Sequence, residues 1–424
     1  METPLTQYIK PGKTPPGIDD YKKAGGYEGV EKALKKMTPD EITAIVKASG
    51  LTGRGGAGFP TGQKWSLMPK NIDRSKTRYL VVNADEMEPG TFKDRYLLEG
   101  NPHQLIAGII IASYAVQARV AYIFIRWAYK KAEAAVRKAI DEAYSAGYLG
   151  KDILGTGYDL DIYVHASAGR YICGEETALL NSLEGKRGIP RAKPPFPAMS
   201  GLFGQPTLVN SVETLSWISH IVDKGADWFL KLSLTGEGGT KLYGVSGRVK
   251  KPGLWELPMG TPMREIIYEH AGGMQDGYNL RGVIPGGAST DFLTDSHLDV
   301  KMDFASLRAA GSRLGTGTMI ILDDRTCPVS FIHNMIKFFA EESCGWCTPC
   351  REGLPWVEKI LDSIEDGTGR ESDLVILEFQ TRYMAPGNTF CALAPGAMEP
   401  LQSGLKYFRE DFLRHINEKH CPWR

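Results

Sequence analysis

Three cysteines, each two residues from the next, constrain this 424-residue chain more than any other feature. They stand in SCGWCTPCREG as Cys344, Cys347 and Cys350, and Cys391 follows much later in TFCALAPG. On a tight loop, three thiolates at this spacing converge on three corners of one cubane, and a remote cysteine supplies the fourth. Four cysteines also make a closed tetrahedral zinc site, and zinc is the competing reading. Zinc sites more often use two separated Cys-x-x-Cys pairs, whereas the consecutive triple is the iron–sulfur habit, so the spacing predicts a [4Fe–4S] cluster. Cys173, Cys327 and Cys421 have no partner at ligand spacing and read as small buried or incidental residues.

The surroundings suit a supported metal centre. From Pro328 onward the periodicity is helical over 329–342, 351–365, 371–384 and 396–416, which predicts a small four-helix bundle with the cysteine loop between two of its helices. Pro328, Pro349, Pro386 and Pro395 fall at or near the joins. Upstream, residues 240–326 suggest a β-grasp-like (ubiquitin-like) domain: strands at 242–249 and 254–257 around a KKPG turn, a helix at 262–270, then strands at 280–284 and 318–322. Residues 40–230 alternate as an α/β layer domain. Helices are expected there at 40–49, 102–117, 128–146, 175–183 and 212–222, and strands at 78–83, 120–127 and 160–165. Residues 1–40 read as an extended lead-in with a short helix at 28–37. The expected domains are therefore 1–239, 240–326 and 327–424.

Charge narrows the function classes. Fifty basic residues balance fifty acidic ones, which argues against nucleic-acid binding and gives no reason for contact with an anionic membrane surface. The longest apolar run, 105–116, is too short to span a bilayer and reads as a buried helix; the first residues do not resemble a secretory signal. A cytoplasmic location is expected.

Glycine is in excess, 48 residues, and it clusters in GLTGRGGAGFPTG and HASAGRYICGEE rather than in low-complexity filler. Gly53, Gly55 and Gly58 satisfy Gly-x-Gly-x-x-Gly, but a Rossmann loop should follow a strand, and 40–49 carries helical spacing. An ordinary Rossmann site is therefore rejected while a phosphate-and-ring cradle is kept, with Arg54 and Lys64 to neutralise phosphates and Phe59 to stack on a ring. In NADEMEPGTFKDR, Asn83, Asp85, Glu86 and Glu88 stand at the C-terminal end of a strand, where α/β sheets bind ligands; a solvated acidic turn is the plainer alternative. Gly174, Glu175 and Glu176 open a helix, where two acids would also serve as a dipole cap. In VNSVET, Asn210 or Ser211 is placed as a helix N-cap. The loop KRGIPRAKPPFP is basic and proline-stiffened enough to reach a phosphate.

Taken in order, GRGGAGFPTGQKW, NADEMEPGTFKDR, YICGEETALLNSLEG and SCGWCTPCREG resemble the NADH-binding flavoprotein (F) subunits of NADH:quinone oxidoreductase, respiratory complex I. The likeness runs over essentially the whole chain from about residue 15. Diaphorase subunits of NAD-linked hydrogenases and formate dehydrogenases are similar too, but often carry extra ferredoxin-like cysteine motifs that are missing here.

The resemblance implies FMN, NADH as substrate and one [4Fe–4S] cluster. It also implies a thioredoxin-like [2Fe–2S] (E-type) subunit as immediate partner, further peripheral-arm subunits, and a place at the inner face of the membrane through that complex. Carried over by motif, Gly53, Arg54, Gly55, Lys64, Asn83, Asp85, Glu86, Gly174, Glu175, Val209, Asn210 and Ser211 would hold FMN. Gly56, Phe59, Glu88, Tyr171, Glu176, Lys193 and Phe196 would contact NADH. Met87 stands where the family commonly has Ser, Ser211 where a second Asn is common, and Leu67 in place of an aromatic residue of some relatives. No nucleophile–base pair is expected, because hydride passes between cofactors; Glu86 and Glu88 are the nearest tuning candidates. Of the rival readings, a diaphorase keeps this chemistry in another assembly, and a zinc-stapled, non-enzymatic assembly module abandons it.

Overall fold

The computed structural model describes residues 2–10, 12–70 and 77–423. Two units emerge from it. The first comprises Met1–Met87, Phe92–Lys241 and Glu256–Gly260; the second comprises Glu88–Thr91, Leu242–Trp255 and Thr261–Arg424.

The first unit is built on a parallel sheet in the order β3-β2-β1-β4, with β1 at Tyr79–Ala84, β2 at Val120–Ile125, β3 at Asp161–Ala166 and β4 at Thr207–Ser211. β1 pairs with β2 from Tyr79↔Val120 and with β4 from Tyr79↔Thr207, so Asn83 lies beside Ser211. Leu80, Val81 and Val82 are all buried, as expected of a parallel strand covered on both faces. The helix Pro102–Val116 is buried at every residue but Tyr114, which agrees with its apolar run. Gly108 lets it approach the next layer: a Cβ there would lie 1.9 Å from the Leu215 carbonyl oxygen.

Several expectations are adjusted here. The lead-in is not extended throughout, since it forms helices at Ile18–Lys23 and Glu28–Lys36. Its first residues are anchored by Glu256, which accepts the Leu5 and Thr6 amides at 3.1 and 2.8 Å. The stretch read only as a helix cap is the strand β4, and Ser211 is both its last residue and the N-cap of Val212–Ser216. The helix expected over 212–222 divides at Trp217 into Val212–Ser216 and Ile218–Lys224. The helix Lys93–Gly100 falls outside the expected elements; its first turn carries Lys93, Asp94 and Arg95, which resemble a solvated segment.

The second sheet has the order β6-β5-β8-β7, with β5 at Thr240–Ser246, β6 at Gly253–Pro258, β7 at Leu280–Ile284 and β8 at Thr318–Asp323. β5 and β8 run parallel, and β7 lies antiparallel to β8. The expected crossing helix begins at Met263–Glu265 and continues as a π turn over Ile266–His270, so a strand pair, a helical crossing and two further strands follow one another as in a β-grasp. The helices Pro328–Glu342, Thr348–Glu365, Glu371–Tyr383, Leu393–Tyr407 and Arg409–Glu418 complete this unit. The last two replace a single expected helix; the break falls at Phe408, which is buried edge-on against Phe292 with ring centroids 5.2 Å apart. No described helix is long and apolar enough to cross a membrane.

Candidate active site

Four segments meet at the carboxyl edge of β1 and β4, the side of a parallel sheet where ligands bind. The glycine loop follows the helix Pro39–Ala48, as the sequence indicated, and is closed by the Gly53 amide donating to the Phe59 carbonyl at 2.8 Å. Gly56 and Gly58 hold φ of 126° and 67°, conformations that L side chains rarely adopt. A Cβ on Gly55 would lie 3.1 Å from Ser211 Cβ, so the loop rests against the end of β4. Asn83 at the end of β1 donates through Nδ2 to the Gly174 carbonyl at 2.8 Å, and its Oδ1 accepts the Asp85 amide at 3.2 Å. Asp85 accepts the Ser167 hydroxyl at 2.7 Å, and Asn210 accepts Trp65 Nε1 at 3.0 Å.

Arg54 takes a different part from the one expected. It is fully buried, and its guanidinium donates to Thr52 Oγ1 and the Gly238 carbonyl, each at 2.8 Å. Its backbone amide donates to Thr214 Oγ1. Arg54 thus braces the loop from beneath, and Lys64 is the cation left on the half-open side.

Lys64 begins a row of alternating charges. Its Nζ lies 3.1 Å from Glu176 Oε2, Glu176 Oε1 lies 3.0 Å from Lys193, and Lys193 lies 3.0 Å from Glu175 Oε1. Burial pushes the Glu176 carboxyl up, but the two ammonium groups outweigh it and hold the group below the usual carboxylate range. Glu175 is the helix cap, accepting the Thr177 and Ala178 amides at 2.8 and 2.9 Å. The cap reading therefore suits Glu175 and leaves Glu176 to its lysines. Phe59, Phe196 and Leu67 are exposed, and Tyr171 is half-buried in the turn Tyr171–Gly174.

Glu86 is buried. Its carboxylate accepts the Asp94 and Arg95 amides at 2.9 and 3.1 Å and the Tyr129 hydroxyl at 3.1 Å. Burial and the nearby Asp94 push its carboxyl up to about 7. Behind it lies a network that sequence reasoning missed: Lys93 pairs with Asp94 at 2.7 Å and Glu213 at 3.1 Å, and Lys241 pairs with Glu213 at 3.2 Å, all four side chains buried. In the sequence these four look like ordinary surface charges, and only the apolar residues beside them hint otherwise. Glu88 is grouped with the second unit, where its carboxylate accepts the Ser289 amide at 2.7 Å.

In the second unit the cysteine triple spans the turn between Pro328–Glu342 and Thr348–Glu365 and the start of the latter helix. Cys347 is the N-cap of the latter, and Cys350 is buried in its first turn beside Ser343 Oγ, 3.1 Å away. Burial pushes the Cys350 thiol up to about 11, with Cys347 and Cys344 adding to it and the Ser343 hydrogen bond opposing. Cys391 lies just before Leu393–Tyr407, and its loop meets the triple through an edge-on Trp346–Phe390 pair at 6.3 Å. All four are thiols, not disulfides.

With this geometry in view, three protein-family models match the chain. The Nuo51 FMN-binding domain covers residues 46–220, the NADH-ubiquinone oxidoreductase-F iron-sulfur binding region 330–415, and an SLBB domain 242–293. The chain is 56% identical over 415 residues to the F subunit of NADH-quinone oxidoreductase from Salmonella typhimurium, spanning 98% of this chain and 93% of that relative. It is equally similar to the Escherichia coli F subunit, with the same coverage. It is 52% identical over 406 residues to the F 2 subunit of NADH-quinone oxidoreductase from Rhizobium meliloti, spanning 96% of each. Among solved structures, an NAD+-reducing [NiFe]-hydrogenase in the H2-reduced state matches with a TM-score of 0.82 and 33% identity, over 99% of this chain and 67% of that one. The air-oxidised form matches with a TM-score of 0.80 and 35% identity, over 93% and 65%.

Proposed function

Because the chain belongs to the family of NADH-quinone oxidoreductase F subunits, we propose that the sheet edge described above is where it oxidises NADH. The protein is an NADH dehydrogenase subunit with FMN and a [4Fe–4S] cluster as cofactors, passing electrons toward quinone. A flavin takes two electrons as hydride and releases them singly, which joins a nicotinamide to an iron–sulfur centre.

The residues suit both groups. Bare glycine backbone, the Lys64 cation and the amides of Asn83 and Asn210 form a cradle for a phosphate-bearing ring system, and a Cβ on Gly174 would meet nothing nearer than the Asp85 carbonyl at 4.0 Å. Four thiols, three of them within one turn and the helix start that follows it, form the donor set of a cubane. In this reading Gly53, Gly55, Lys64, Asn83, Asp85, Glu86, Gly174, Glu175, Val209, Asn210 and Ser211 hold FMN, with Arg54 bracing the loop. Gly56, Phe59, Tyr171, Glu176, Lys193 and Phe196 orient NADH; Cys344, Cys347, Cys350 and Cys391 ligate the cluster. None acts as nucleophile or base. Their work is to hold two ring systems in register and to exclude other acceptors. The division at 239/240 and 326/327 belongs to the same reading, with the β-grasp part serving structure or docking.

The convergence of the glycine loop, Asn83, Gly174 and Ser211 on one sheet edge carries the assignment. An absorbance spectrum with elemental analysis tests it. Flavin bands over broad iron–sulfur absorption are expected, with about four iron atoms per flavin; a colourless chain holding zinc alone would refute it. The protein works in a multisubunit complex. We place a thioredoxin-like [2Fe–2S] subunit next to it and the assembly at the cytoplasmic face of the membrane. The hydrogenase likeness supports a second reading, a diaphorase of an NAD-linked hydrogenase. Purification of the native complex separates the two by whether the accompanying subunits are those of complex I or of a hydrogenase.

A further inference from the structure

Two cysteines without ligand spacing in the sequence meet in the fold. Cys327 is the N-cap of Pro328–Glu342, where its sulfur accepts the Ser330 amide at 3.4 Å, and Cys421 lies beyond the last helix, Arg409–Glu418. His415 stands beside them, with its Nε2 3.3 Å from Cys327 Sγ. The three ligand atoms all lie within 4.8 Å of one another, and all three residues are buried. Zinc bound by two sulfurs at about 2.3 Å and a nitrogen at about 2.0 Å separates sulfur from nitrogen by about 3.5 Å in tetrahedral geometry. The Cys327–His415 separation of 3.3 Å lies close to that value, and the other pairs fall within 4.8 Å.

The imidazole is also set for ligation. His415 Nδ1 lies 2.6 Å from the Asp411 carbonyl, so the proton sits on Nδ1 and donates there, and neutral Nε2 offers its lone pair to the ion. Trp423 stacks on the ring with centroids 5.7 Å apart and planes 17° from parallel, which fixes its orientation. A cavity of about 380 Å³, lined in part by Cys327, Ser330, Asn334, Cys421 and Trp423, opens onto the group and leaves room for a water as fourth ligand.

We propose that Cys327, His415 and Cys421 bind one zinc ion, separate from the four cysteines of the iron–sulfur cluster. Binding releases two thiol protons to solvent, and the two thiolates then balance the ion's charge, so the buried site is neutral. The ion staples the chain's final residues to the start of the first bundle helix.

The test uses the full chain with flavin and cluster in place, incubated with Zn2+ and desalted, then read by elemental analysis and zinc-edge X-ray absorption. About one zinc per chain beside a full iron complement is expected, in a shell of two sulfurs at about 2.3 Å and two lighter ligands, the imidazole nitrogen and a water oxygen, at about 2.0 Å. Cys421→Ser and His415→Gln should each lower zinc at least tenfold with iron unchanged. Where a variant does not fold, the wild-type absorption shell alone decides. Zinc lost on desalting, an all-sulfur shell, variants that keep their zinc, or an intact mass two units low from a Cys327–Cys421 disulfide would each overturn the proposal.

Discussion

At the residue scale, the proposed NADH site makes Glu176 the residue expected to choose between NADH and NADPH. It is held ionised by Lys64 and Lys193 and is not the helix cap, so in the proposed NADH site the lone pairs left on its carboxylate would accept from the hydroxyls of an adenosine ribose, and its charge would repel a 2′-phosphate. Glu176→Ala takes the carboxylate away from Lys64 and leaves Lys193 paired with Glu175. The NADH to NADPH ratio of kcat/KM should narrow on the order of 10–100-fold, with NADPH oxidation rising in absolute terms; equal weakening of both substrates would show a scaffold role. Glu86 gives a pH signature. Its folded pKa is raised to about 7, so the folded chain holds a proton that the unfolded chain has released, and stability falls as pH rises between about 4.5 and 7. Relative to Glu86→Gln, the wild type should therefore lose up to about 3 kcal/mol between pH 5 and pH 8 in denaturant titrations. A constant difference across that range would place the titration elsewhere. The motifs made both residues legible in the sequence, but not their partners: Tyr129 and Lys193 reach them only through the fold.

At the element scale, Lys93–Gly100 and Val212–Ser216 are locked together behind the site by Lys93, Asp94, Glu213 and Lys241. Removing one member leaves buried charge uncompensated, so Lys93→Met should destabilise the chain by about 3–5 kcal/mol and lower flavin occupancy together with Tm. Unchanged thermal unfolding would show that the network is dispensable. Legibility was uneven at this scale. Long helices were plain: Lys130–Ser145 through the period that one-sided burial imposes over many turns, and Pro102–Val116 through a continuous apolar run, since it is buried almost all round. β4 was not, because TLVNS is five residues long and ends in polar side chains turned to the site. The breaks at Trp217 and Phe408 were also hidden, since each is a large apolar residue whose tertiary packing, not its local propensity, ends a helix.

At the scale of the whole molecule, the sequence motifs anticipated a flavin layer and a cluster-bearing bundle. Proximity between distant cysteines lay beyond them: Cys327 and Cys421 meet only because the last helix returns to the first of the bundle. The β-grasp part is engaged by residues of its own unit that lie outside it. Its Gly286–Ser289 turn takes the Glu88 carboxylate, and Arg281 pairs with Asp411, so native mass spectrometry should find no second organic ligand on the chain. A second tightly bound molecule there would contradict this. The central claim is that NADH reduces a flavin held by one set of segments, and that four cysteines elsewhere take the electrons singly. Anaerobic addition of NADH to the wild type and to Cys347→Ala, followed by absorbance and electron paramagnetic resonance, tests it most directly. Flavin bleaching is expected in both proteins and a reduced [4Fe–4S] resonance in the wild type alone; a normal cluster resonance in Cys347→Ala, or no bleaching in the wild type, would contradict it.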